Sequence, residues 1–398
     1  MPIPRGVNKR VVVARETTYG TQGSGPGFEM RRVQSVLNFS KDSIQNDEIL
    51  TSGQIRDVRH GVGRVNGQIT GNLAPGSSWP LIESLLRRDF SASVNSGALV
   101  NVAAAAGPPG TFTRAAGSFV TDGFRVGDVV RWTGWATTGA ANNNVNYRII
   151  ALTATVMTVA GTVAAKVAGD SVTCTRVGKR TFTPATGRTN PSFSIEHWFS
   201  DVNMSELFTG CRTTQMSLNI PATGPVPLSA SIMGRALTTG ASAVYSSPTA
   251  PVVSDAVVGA TSLIRVNGAD QVIVTGMQIN MQVNSQATPV AGSLFLPDIF
   301  QGVLSVSGSI SAYCDGVSLR DLFLNETSLG INVLLTNSPA ANADFISIHL
   351  PRVKFMSADK NDSDTAIFEQ FQFVALENTS SAANEELTTI VVQDSLVP

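Results

Sequence analysis

At 398 residues the chain exceeds the roughly 250–300 residues at which a single hydrophobic core stops growing, so two or three domains are expected. Charged residues make up only 14%, against about 25% in ordinary soluble domains; so lean a surface is either covered by other subunits or built from uncharged Ser, Thr and Asn on β faces. Lys and Arg total 28 and Asp and Glu 29, a net charge of −1, which excludes a global basic attraction to nucleic acid.

Residues 1–28 are rich in Gly and hold several Pro, and read as an extended N-terminal arm without a core of its own. Met1–Arg15 carries basic residues but no apolar stretch or cleavage signature, so it is not a signal peptide. The longest apolar runs, Ala98–Gly107 and Ala151–Val167, fall short of the ~20 residues of a membrane span. No membrane partner is therefore expected, and the protein should stay in the compartment where it is made.

The pattern changes over residues 29–90. Val33–Ser40 reads as a strand with Leu37 and Phe39 on one face. The polar run Lys41–Arg59 reads as a projecting loop, of a length that is usually functional or disordered. Gly63–Leu73 alternates, with Val65, Gly67, Ile69 and Gly71 against Asn66, Gln68, Thr70 and Asn72. After a turn at Ala74–Ser77, Trp79–Leu86 has helical spacing, with Ser77 or Ser78 placed to cap it. Residues 91–180 look like a separate body. Ser91–Gly110 reads as a linker, and the short strands and Gly/Asn turns that follow predict a small all-β module inserted into the first domain. Residues 181–240 resume longer strands, including Phe193–Trp198, Gln215–Ile220 and Leu228–Met233. Thr238–Asp255 reads as a second linker, and residues 256–398 read again as strands.

An internal repeat links the two ends of the chain. Val65–Thr70 is echoed by Val306–Ser311, the octet Trp79–Leu86 by Val317–Leu324, and Phe193–Trp198 by Phe345–Leu350. The expected organisation is two tandem β-sandwich units, each with a flanking helix. The first is discontinuous, residues 29–90 and 181–240, split by the insertion at 91–180; the second is residues 256–398.

Catalytic and metal motifs are scarce. Cys174, Cys211 and Cys314 are scattered and odd in number, which argues against a disulfide framework or a zinc site. Gly61-Val62-Gly63-Arg64-Val65-Asn66-Gly67 is one residue off a dinucleotide fingerprint and lies inside an alternating strand with no βαβ unit. Asp359, Asp362 and Asp364 lack the Gly and the terminal Glu of a calcium loop and read as a surface turn. His197 and His349 fall at equivalent points of the echoed strands, which explains them as strand positions rather than ligands. No cofactor and no small-molecule substrate are expected, and the chain is not expected to be an enzyme; a hydrolase would need carboxylates converging near aromatics.

Several segments carry a resemblance. Glu16-Thr17-Thr18-Tyr19-Gly20-Thr21, Arg31–Ser35, Ile55–Gly61 and Val65–Gly71 resemble the tail tube proteins of long-tailed, siphovirus-like bacteriophages, as do Phe193–Trp198, Phe208–Cys211 and Met233–Arg235. The insertion, with Thr121–Asp128, looks like small β-domains that decorate phage tail proteins. The resemblance implies a virion protein, assembled in the bacterial cytoplasm, whose sandwich domains pool strands into a barrel, six per ring. Most members have one tube domain and form hexamers, so a duplicated one implies trimers with pseudo-sixfold symmetry. It further implies rings stacked through the arm and the long loop, with tape measure protein and later DNA in the lumen. Tail terminator and distal tail or baseplate proteins would meet the ends. On this basis Asp47, Glu48, Arg56 and Arg59 are candidate ring–ring contacts. The alternative is a carbohydrate-binding or adhesive β-protein, for which Trp132 and Trp135 of the insertion are the candidate surface aromatics.

Overall fold

The computed structural model describes residues 3–45, 51–54, 57–314, 318–361, 366–380 and 382–398. Asp47, Glu48, Arg56, Asp362 and Asp364, named above, lie outside the described residues. The chain is mainly β. Its principal elements, numbered in chain order, are β1 (Lys9–Arg15), β2 (Gln34–Gln45), β3 (Val58–Asn72), helix α1 (Trp79–Leu86), β4 (Phe193–Phe199), β5 (Met204–Pro221) and β6 (Pro227–Gly234), then β7 (Leu263–Val266), β8 (Val274–Gln286), β9 (Phe300–Tyr313), helix α2 (Ser318–Leu324), β10 (Leu329–Thr336), β11 (Phe345–Lys360) and β12 (Phe368–Ala375).

Neighbours in space follow the same order in both halves. The first half runs β1-β4-β5-β6-β3-β2 and the second β7-β10-β11-β12-β9-β8, all antiparallel. The irregularities coincide as well. The β5–β6 register slips between Thr213 and Gln215, and the β11–β12 register between Phe355 and Ser357. A slip at Phe193/Ile195 on β4 is matched at Leu329/Ile331 on β10. In the β2–β3 pair Gly61 and Val62 together oppose the single residue Asp42, and in the β8–β9 pair Gly302 and Val303 oppose Asn284. A bulge re-aims every side chain beyond it, because the side-chain period is two. Shared bulges therefore mean that the two halves aim equivalent positions at equivalent faces.

The long strands β5 and β11 each serve two sheets. The N-terminal part of β5 pairs with β4 and with Ala236–Gly240, and its C-terminal part pairs with β6 and β8. The β5–β8 pairing fuses the halves into one continuous sheet of order β2-β3-β6-β5-β8-β9-β12-β11. One face of that sheet is apolar: Leu37, Val65, Ile69, Ala230, Met216, Ile279, Ile310 and Phe371 are all buried in one core. Helix α1 packs on β5 through Leu81, Ile82, Leu85 and Leu86, and α2 packs on β11. Ser78 sits at the α1 N-cap without a side-chain cap bond, and Ser77 donates to the Ala74 carbonyl instead.

The insertion forms its own seven-stranded sheet from strands lying between Leu99 and Arg176, over a separate core of Phe112, Phe119, Phe124, Trp132, Trp135, Tyr147 and Met157. It emerges from the first half and leans on the second. Arg148 bonds the Asn332 side chain (3.1 Å) and Asp270 (2.7 Å), Arg131 donates to the Asn342 carbonyl (2.8 Å), and Gln393 bonds both backbone groups of Val129.

Several sequence expectations are corrected. Part of the presumed arm, Lys9–Arg15, is a buried strand: Val11–Ala14 are at most 3% exposed, and their short apolar run is bracketed by basic residues that hid it. The two ends of the presumed loop Lys41–Arg59 are strand, since β2 continues to Gln45 and β3 starts at Val58; both faces are exposed there, so no alternation marks them. Within the first presumed linker Leu99–Val100 and Val102–Ala105 are paired strands, and the strand Ala236–Gly240 runs into the start of the second. The echo of Phe193–Trp198 in Phe345–Leu350 is a misalignment. Pairing matches β4 with β10, so His197 corresponds to Val333, and His349 on β11 corresponds to Leu207.

Candidate assembly surface

A continuous sheet has two ends, and among the described residues neither is paired further. Strand β2 pairs only with β3, and the segment Ser357–Lys360 of β11 pairs only with β12, among the described residues. Uncovered edges present rows of unpaired N–H and C=O groups and are templates for another strand. Apolar side chains near these edges also face solvent: Val36 (41% exposed) and Ile44 (61%) on β2, Val58 (53%) on β3, and Met356 (62%) on β11.

Where the two halves meet, the same kinds of edge are satisfied. Gln215 lies opposite Gln282, Met216 opposite Met281, Ser217 opposite Asn280, and Leu218 opposite Ile279. The two methionines are buried, and the paired polar residues lie on the other face. The loop after β8 folds back over this seam. Arg212 on β5 forms an ion pair with Asp298 at 2.7 Å and donates to the Ile299 carbonyl; the Gly63 amide donates to the Leu294 carbonyl (3.0 Å). Arg212 also lies over the Tyr19 ring, and burial pushes the Tyr19 hydroxyl pKa upward.

The face of the sheet opposite the core is paved with uncharged hydrogen-bonding groups. Asn66, Gln68, Gln215, Asn219, Gln278 and Asn280 point there, followed by the alternating serines from Ser305 to Ser311 on β9. Charge enters at Arg64, which pairs with Asp42, and near the β11 edge at Lys354 and Asp359. The closest approaches between strands are kept by glycine. A Cβ at Gly67 would stand 2.0 Å from the Val36 carbonyl oxygen, and one at Gly308, the matched position, 2.0 Å from that of Gln278.

Of the candidate ring–ring residues, Arg59 is described: its side chain is 83% exposed at the start of β3, in an ion pair with Asp57 at 3.0 Å. The candidate surface aromatics are corrected. Trp132 is 0% and Trp135 4% exposed, stacked with Phe112 in the centre of the insertion, because a small β module must spend its largest apolar side chains on its own core. Neither offers a surface to a sugar.

Sequence reading missed the buried acids that tie the chain together. Glu16 is 6% exposed and accepts from the Ser192 and Ser194 hydroxyls (2.7 and 2.8 Å) and the Gly20 and Gly210 amides (2.8 and 2.7 Å). Glu196 similarly holds Ser205, Val244 and Tyr245. Their partners lie far away in sequence, so no spacing announces them. Burial pushes the Cys174 and Cys211 thiols well up, away from reactive thiolate character. Among the described residues no cluster of His, Cys, Asp and Glu could hold a metal ion, and no helix is long and apolar enough to cross a membrane.

Among the described residues the geometry combines two open sheet edges, an internal joint between two strand edges at β5 and β8, and a face paved with uncharged polar side chains. Comparison with curated proteins yields no match. The family model described as phage tail tube protein matches residues 6–375, nearly the whole chain and both of its halves. The chain therefore belongs to the phage tail tube protein family.

Proposed function

We propose that this chain polymerises into stacked rings that form the tube of a phage tail, the conduit for DNA at ejection, with three chains per ring. The observation that carries the reading is the identical strand order of the two halves, with three register slips at matched positions, joined edge to edge through β5 and β8. On this reading the halves are duplicated tube units, the first interrupted by the insertion. A ring built from such chains has pseudo-sixfold symmetry, and closing it into a barrel removes both open edges. The polar face then lines the bore, and the insertion points outward, leaving the bore open. A structural role without catalysis follows.

The outer ends of β2 and β3, with Arg59 and the exposed Ile44 and Val58, face the next ring in this arrangement. Tape measure protein before ejection, and terminator and distal tail proteins at the ends, complete the expected partners. The test is the mass per ring and the rotational symmetry of tubes grown from the purified chain. Three chains of 41.8 kDa per ring with sixfold-like inner density support the proposal. Six chains per ring overturn the duplicated-unit reading, and a chain that stays monomeric at high concentration overturns the tube.

A further inference from the structure

The seam inside the chain is a template for the seam between chains. We infer that β2 of one copy adds to β11 of the next in the register that β8 takes on β5, and that Asp57 of the first copy pairs with Lys354 of the second. The inference rests on the ring reading above and deepens it by fixing the register of the contact.

The register follows from matched pairings. Gly67 lies opposite Leu37, and its counterpart Gly308 lies opposite Ile279, so Leu37 matches Ile279, Asn38 matches Asn280, Phe39 matches Met281 and Ser40 matches Gln282. Gly67 also lies opposite Ile232, and Gly308 opposite Phe373. Carried across the shared bulge, Gln215 matches Ser357, Met216 matches Ala358, Ser217 matches Asp359 and Leu218 matches Lys360. Transferring the internal pairs then sets Ser40 opposite Ser357, Phe39 opposite Ala358, Asn38 opposite Asp359 and Leu37 opposite Lys360. The buried methionine pair of the internal seam becomes a large–small pair of Phe39 and Ala358, each only partly buried in the single chain.

Charge supplies an independent check. The hairpins share Asp-Val-x-x-Gly-Val at Asp57–Val62 and Asp-Ile-x-x-Gly-Val at Asp298–Val303, so Asp57 matches Asp298. Arg212 lies opposite Met233, and Lys354 lies opposite Val374, the match of Met233; Lys354 therefore stands where Arg212 stands. Inside the chain Arg212 and Asp298 form an ion pair at 2.7 Å. The matched residues are again a cation and an anion, and in the single chain they remain 36% and 50% exposed. A contact that exists within the chain, and whose opposite charges recur at both open edges, fits a second copy of the chain.

Paired cysteines test the register. In assembled tubes, oxidised Ser40→Cys/Ser357→Cys should dissolve in denaturant as covalent trimers, while the two-residue slip Asn38→Cys/Ser357→Cys should release monomers. Cross-linking of the slipped pair instead, or of neither pair in tubes that still form, overturns the register and leaves the tube standing. If the unaltered chain makes no rings, the reading beneath it fails. Asp57→Lys and Lys354→Asp should each raise the concentration needed for assembly about threefold or more, and the two together should restore it. A double variant no better than the worse single one overturns the ion pair.

Discussion

The buried charge network at the foot of the insertion makes a strong demand on Asp128. Its carboxylate is 1% exposed, lies 2.8 Å from Arg180 and 4.0 Å from Arg176, and accepts the Arg125 amide at 2.9 Å. Arg180 reaches onward to Glu386, joining the base of the insertion to the C-terminal segment. Arg176, 2% exposed, is already poorly compensated, since burial pushes its pKa down to about 10 with Asp128 the main opposing charge. Asp128→Ala would leave Arg176 buried with carbonyl and hydroxyl partners alone and Arg180 with a single anion. Removing one partner of a buried pair costs about 3–5 kcal/mol, most of it from the orphaned charge. Adding Arg176→Met should recover about half of that, because an apolar side chain needs no counter-charge. Urea unfolding followed by tryptophan fluorescence reads the effect, since Trp132 and Trp135 report on the insertion's own core. A loss below about 1 kcal/mol in Asp128→Ala, or a further loss in the double variant, would refute the argument.

Two other perturbations separate backbone from ionisation effects. Gly67→Ala and Gly308→Ala each drive a methyl group into a neighbouring strand's carbonyl, so each should lower stability by about 2 kcal/mol or more in thermal unfolding; an unchanged midpoint would mean that the strands can spread freely. His349 is partly buried, and desolvation lowers its pKa to about 4, against Asp128, which raises it. Its folded value is below the unfolded one, so stability is complete above about pH 6.5 and declines as the pH falls toward 4, by an amount of order 3 kcal/mol. His349→Leu should flatten that acid-side slope, and a slope identical to that of the parent chain would contradict it.

The β fold was legible wherever one strand face was buried and the other wet. Val65–Ile69 and Val306–Ile310 alternate cleanly, and the apolar octet Trp79–Leu86 is helix α1. Legibility failed where that asymmetry vanishes. Lys41–Gln45 is strand with both faces exposed, and Lys9–Arg15 is a strand whose Val-Val-Val centre is buried throughout. The match of β4 to β10 was hidden because Ser/Ile alternation makes such strands look alike, and only pairing partners tell them apart. Bulges leave no mark in a single sequence. Arg59 was singled out as a candidate contact from its charge, its place in a long polar run read as a loop, and the resemblance, whereas the open edges at β2 and β11 depend on which strands lack neighbours, a property of topology alone. The tryptophans of the insertion were misjudged because aromatic character reads the same in a core as on a surface.

The docking of the insertion has a mechanical consequence. It leaves the chain from the first half yet is bolted to the second through Arg131, Arg148 and Gln393, so it acts as a splint across the internal joint. The joint between copies, in the proposed ring, has no covalent crossing. A tube of such rings alternates stiff and compliant longitudinal seams around its circumference, and under bending or internal pressure it would flex and eventually split along the compliant ones, shedding whole chains and not half-chains.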